Sequence, residues 1–172
     1  MNRQEASVPE QAPALRMSAI VGDAYPELDL PPADELVRKL RSGEIRGEVV
    51  IYPAGADFPR VIVAWHAGHG FVVSCLDSER SVGHFLAAGP STSEPAIDVA
   101  IGGQAMEKWP RELLVPEPLA AEALAFLAES GGRKPDLSWI AADQFPRETV
   151  WEGTRGRLAW EWARRKFDEG SV

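Results

Sequence analysis

Between residues 47 and 103 apolar side chains recur at every second position, and this alternation restricts the fold more than any other feature of the chain. Four segments carry it in close succession: GEVVIYP (47–53), RVIVAWH (60–66), GFVVSCLD (70–77) and SVGHFLA (81–87). A fifth, AIDVAIGG (96–103), follows a loop. In the second segment Val61, Val63 and Trp65 share a face; in the fifth, Ile97, Val99 and Ile101 point one way and Asp98 the other. Period two is the repeat of a strand, whose successive side chains project to opposite faces. The breaks are short and contain Gly or Asp, which suits an antiparallel meander. The second and third segments carry apolar groups on both faces, so they are expected centrally, under a helical layer.

Two helices are expected to supply that layer. In PADELVRKLRSG, Leu36, Val37 and Leu40 fall at helical spacing, with Pro32 at the start and Gly43 at the stop. The second lies in WPRELLVPEPLAAEALAFLAESGGRKPDLSW (109–139). Trp109 and Pro110 read as loop, and Pro118 suits a first helical turn. Leu119, Ala123, Phe126 and Leu127 form the apolar stripe, and Gly131-Gly132 ends the helix. Its many alanines allow a close approach to a sheet. Pro135 blocks any return to helix, and LSWI (137–140) reads as one more short strand. The expected class is therefore α+β: an antiparallel meander packed by an N-terminal helix and an Ala-rich helix, with a C-terminal helical extension.

This pattern divides the chain in three. Residues 1–31, interrupted by Pro9, Pro13, Pro26 and Pro31, read as a mobile Pro-rich arm. Residues 32–140 form the domain, and 141–172 a C-terminal extension. Within that extension TRGRLAWEWARRKFDEG (154–170) places Ala159, Ala163 and Phe167 in one row, flanked by Trp160 and Trp162. Arg164, Arg165 and Lys166 lie near its C-terminal end, where a helix dipole favours cations.

Charge narrows the partners. The formal net charge is −8, and residues 47–103 carry six acidic groups against Arg60 and Arg80 alone. An acidic surface repels phosphates, which argues against direct nucleic-acid binding and in favour of a basic protein partner. No run of apolar residues reaches the roughly 18 needed for a membrane helix. Cys75 is the lone cysteine, so no internal disulfide forms, and a cytoplasmic location is expected.

Groups capable of chemistry are few. His66 and His69 stand three apart, and His84 lies on the next segment. Zinc needs three or four converging ligands, and nothing near these histidines in sequence completes a set, so they read as turn and surface residues. Cys75 sits among Val72, Val73 and Leu76, where a thiol is buried and inert, although a pairing with His84 would be the one route to a nucleophile. Asp77 and Glu79 flank a turn as a solvated pair rather than an acid/base dyad. HAGHG and IGG do not lead into a helix with Lys-Ser or Lys-Thr, so they are not phosphate loops. The expectation is a non-enzyme with no cofactor and no metal.

One resemblance is specific. Pro110-Arg111, Leu114-Val115-Pro116, Ala120, Ala123 and Phe126 of the Ala-rich helix, then Gly131-Gly132, Pro135 and Trp139, resemble the C-terminal signature of the first numbered family of bacterial polymorphic-toxin immunity proteins, Imm-one. The likeness covers roughly 33–140 and is strongest over 109–139; the long arm and the tryptophan-containing tail depart from it. It implies an antitoxin that occludes the active site of a secreted or contact-delivered toxin, with a nucleic-acid deaminase or a nuclease as the implied target. Signature residues are structural in that family, and the toxin-facing surface varies. From charge and turn position, Asp77, Glu79, Glu94 and Asp98 are the expected partner-binding residues. The other reading is a non-catalytic regulatory or secretion-associated adaptor.

Overall fold

The computed structural model describes residues 14–92, 96–101 and 105–145. Seven strands form an antiparallel sheet in the order β2-β1-β3-β4-β5-β6-β9, and β7 and β8 form a separate two-stranded ribbon. The α+β class holds. The first hairpin is β1 (Leu15–Ile20) and β2 (Glu27–Asp29), followed by α1 (Ala33–Ser42). Then come β3 (Arg46–Pro53), β4 (Arg60–His66), β5 (Gly70–Leu76) and β6 (His84–Leu86), the alternating segments of the sequence. The ribbon strands are β7 (Ile97–Ile101) and β8 (Ala105–Trp109). A 3-10 turn at Arg111–Leu113, α2 (Glu117–Ser130), β9 (Trp139–Ala141) and a second 3-10 turn at Ala142–Gln144 complete the fold.

Register shows how the alternation is used. Val49↔Val63 and Ile51↔Val61 pair across β3 and β4, then Val61↔Cys75 and Val63↔Val73 across β4 and β5. Cross-strand partners share a face, so these residues make one continuous apolar surface. Met17 and Ala19 from β1, Leu36, Val37 and Leu40 from α1, and Ala120, Ala123, Leu124 and Leu127 from α2 close over it. Both helices lie on this face, and an Arg41–Glu117 ion pair joins them. Each ends on a glycine with positive φ, Gly43 at 77° and Gly131 at 74°, whose amides return to Leu40 and Leu127.

The opposite face is covered only in part. Val72 of β5, Phe85 of β6 and Ile140 of β9 point to this side and pack with Val99, Trp109, Leu113, Leu114 and Phe145 in a second core. The ribbon, the first 3-10 turn and Phe145 therefore roof the β5-β6-β9 end of the sheet. No residue of β1, β2 or β3 belongs to this second core.

Several expectations need correction. Residues 14–31 are not a mobile arm: β1 pairs with β3 along Leu15↔Pro53 to Ser18↔Val50, and β2 pairs with β1. Pro26 and Pro31 sit just outside strand β2, where no ladder amide is lost. The fifth alternating segment does not extend the meander, because its partner is β8, from Ile97↔Trp109 to Ile101↔Ala105. Trp109 thus ends a strand rather than lying in a loop. The domain also runs past 140, since Ile140, Ala142 and Phe145 are buried in the second core. The expected tail helix (154–170) and the remainder of the arm lie outside the described residues.

Candidate interaction surface

The stretch 109–139 is built as a brace. Val115 exchanges two backbone hydrogen bonds with Phe71, both 2.8 Å, beside the first half of β5. Gly70 makes this approach possible: its φ is 137°, and a β-carbon there would lie 2.6 Å from the Val115 carbonyl oxygen. Ala88 donates to Glu112 and Ala87 to Ser138, at 2.7 and 2.9 Å. Trp139 is half-buried against the helix-side core, and its indole Nε1 donates to the Lys134 carbonyl at 3.1 Å. Most of the residues that carry the family resemblance are thus absorbed into packing, turns and backbone pairing.

Charged groups around the brace are mutually engaged. Arg133 donates to Asp77 Oδ2 at 2.8 Å and lies over the Trp139 ring, 5.9 Å from its centroid. Lys134 is bound by Glu122, which with Asp136 holds its ammonium pKa above the ordinary value. Asp77, Arg133 and Lys134, with Pro135, Leu137 and Trp139, line an open depression of about 520 Å³. Its cations are already neutralised by carboxylates, so it presents no concentrated positive site for an anion.

The expected partner-binding residues fall in different settings. Asp77 is tied to Arg133 and also accepts from the Cys75 thiol at 3.5 Å. It is therefore no spare turn acid. Glu79 is exposed in the β5–β6 connection. Asp98 is exposed on β7, but its cross-strand partner is Lys108, also exposed, which offsets its charge. Glu94 lies outside the described residues. Asp77 and Glu79 thus belong to the β5–β6 connection, and Asp98 to the separate two-stranded ribbon.

Reactive groups can be placed in the same way. Cys75 is paired across the sheet with His84 and faces the helix side with it. The thiol donates to Asp77, however, and burial, reinforced by that carboxylate, pushes its pKa up to about 12. A thiol so protonated at neutral pH is a poor nucleophile. His66 is half-buried at the end of β4, 6.5 Å from the Trp109 ring, rather than at an exposed tip, whereas His69 is exposed. Among the described residues no three His, Cys, Asp or Glu side chains converge as a metal site. Nor is any described helix long and apolar enough to cross a membrane.

What sequence reasoning missed is the other end of the sheet. On β1, β2 and β3 the side turned away from the helices carries Arg16, Ser18, Ile20, Glu27, Asp29, Val50 and Tyr52, none of them buried. Arg16 holds Glu27 through Nε at 3.0 Å and binds Asp29 through its terminal nitrogen. The Tyr52 hydroxyl donates to the other Glu27 oxygen at 3.0 Å and lies 3.0 Å from Ser18 Oγ. The signal was legible: Leu15, Met17 and Ala19 alternate with Arg16, Ser18 and Ile20 before Gly22-Asp23. The prolines around it hid a genuine strand period. No protein-family model, curated protein or solved structure matches this chain.

Proposed function

We propose that this protein is an immunity protein: it binds a cognate secreted or contact-delivered bacterial toxin in the cytoplasm and occludes its active site. A toxin acting on nucleic acid, by deamination or strand cleavage, suits an acidic inhibitor, because its active site must attract phosphates. One observation carries the reading. The resemblance residues between 109 and 139 brace one end of the sheet, while the opposite end keeps a polar and apolar face exposed to solvent. Such a division suits a rigid inhibitor, which needs a preformed surface and no reacting group. The protonated, carboxylate-bound thiol of Cys75 supports a non-catalytic role.

Members of the family it resembles are encoded beside their toxins, so co-expression with the product of the adjacent gene tests this. A stable complex in which toxin activity falls stoichiometrically is the expected outcome. Complex formation with toxin activity intact would favour the adaptor reading, and turnover of a substrate by the isolated protein would defeat both.

A further inference from the structure

The described residues leave three large apolar side chains exposed: Ile20 at 38%, Val21 at 40% and Tyr25 at 59%. All three occupy the tip of the β1–β2 hairpin. Single exposed apolar groups are ordinary; three within six residues at the end of an edge hairpin make a candidate contact surface. The core does not need them, because Met17 and Ala19 already supply this hairpin's buried side.

Asp23 lies in the turn itself and Glu27 and Asp29 follow on β2, while Arg46 of β3 is the cross-strand partner of Ile20. Residues 14–31 hold Asp23, Glu27 and Asp29 against Arg16, whose guanidinium is already bound by Glu27 and Asp29. The Asp29 side chain remains 91% exposed. Glu27 is fixed at both oxygens, by Arg16 and by Tyr52. Asp29, held by Arg16 yet open to solvent, loses little side-chain entropy on meeting a further cation. The same charge repels a phosphate backbone, so nucleic acid is the wrong partner.

We infer that the β1–β2 hairpin docks a basic protein surface, inserting Ile20, Val21 and Tyr25 into an apolar depression ringed by lysine or arginine that meets Asp23 and Asp29. Tyr25 is the anchor, since a tyrosine buries a large area at the cost of few rotors. This assignment rests on the toxin-binding reading and puts its surface on the β1–β2 hairpin instead of at Asp77, Glu79, Glu94 and Asp98.

The test uses the full chain and the catalytically inactivated product of the adjacent gene. The double substitution Val21→Ser with Tyr25→Ala is expected to raise Kd at least about thirtyfold, the scale of losing one hot-spot side chain. Asp23→Asn with Asp29→Asn is expected to slow association a few-fold and flatten its salt dependence. Hydrogen exchange on the unaltered complex supplies a readout independent of any variant, and protection over 15–29 is expected. Absence of a complex with the unaltered chain would overturn the toxin reading and the docking assignment with it. A complex whose affinity ignores Val21 and Tyr25, or whose protection falls only elsewhere, would overturn the docking assignment alone.

Discussion

The two ends of the sheet are made from the same alternating pattern yet finished differently. At the β5-β6-β9 end both faces are covered, one by α2 and the other by the ribbon, Leu113, Leu114 and Phe145. At the β2-β1-β3 end the helix side is buried through Met17, Ala19, Val49 and Ile51, while the other side stays half-exposed or open. Burying both faces yields stability and fixes the strands in place. Leaving one face open gives up that stabilisation and keeps surface available for a partner. The stretch with the most orderly sequence, 109–139, therefore serves the closed end, and the irregular Pro-containing stretch serves the open one.

If this contrast is correct, damage at the closed end costs folding. Gly70→Ala has the largest expected effect. It forces a β-carbon against the Val115 carbonyl at a φ of 137°, and backbone strain plus steric overlap should cost on the order of 3–5 kcal/mol. Urea denaturation at 25 °C measures it, and a loss below about 1 kcal/mol would show that the Phe71–Val115 pairing yields easily. Next comes Trp139→Ala, which removes a half-buried indole and its bond to Lys134. A loss of about 2–4 kcal/mol is expected, below the full range for a wholly buried tryptophan. Trp139→Phe keeps most of the packing and should lose about 1 kcal/mol, the net value of one hydrogen bond.

Legibility in the sequence followed the same division. Central β4 and β5 were readable because both of their faces are apolar, and α1 and α2 because proline and glycine bracket their stripes. The ribbon was half-legible: alternation identified β7, but strand period does not name a partner, and β8 decided it. The β1–β2 hairpin was lost because Pro26 and Pro31 suggested disorder, although proline outside a ladder costs a strand nothing. At the candidate surface, charge counting along 47–103 overlooked partners distant in sequence. Asp77 meets Arg133, 56 residues away, and Asp98 faces Lys108.

A pH profile sharpens the comparison without touching the open end. The Cys75 pKa is raised from 9.0 to about 12, first by burial and then by Asp77. Between these values the folded chain keeps a proton that the unfolded chain has released, so stability falls as pH rises. The contribution is fully present below about pH 9 and fades toward pH 12. Melting of the unaltered chain should therefore decline more steeply above pH 9 than that of Cys75→Ala. Parallel profiles would show that the thiol's surroundings relax on ionisation. Asp77→Asn has a smaller effect: the Asp77–Arg133 pair is partly exposed, and its loss should cost no more than about 1 kcal/mol. With that carboxylate neutralised, the thiol pKa should move down but stay above its ordinary value, because burial is the larger cause.

The smallest stability effect belongs to the open end and puts the comparison at greatest risk. Ile20, Val21 and Tyr25 belong to neither buried cluster. Surface substitutions of this kind usually change stability by no more than about 0.5 kcal/mol in either direction. Val21→Ser with Tyr25→Ala should accordingly melt within a few degrees of the unaltered protein, with an unchanged dependence on urea. The hairpin itself is held by the β1–β3 ladder and by the Arg16–Glu27–Tyr52 network, neither of which the substitutions remove. A loss above about 2 kcal/mol would lie in the range of core truncations. The tip would then be packed against a part of this same chain, and the two ends of the sheet would differ in which segment closes them rather than in whether they are closed. A loss near zero leaves the exposed tyrosine without a folding role, which is the condition for assigning it to binding.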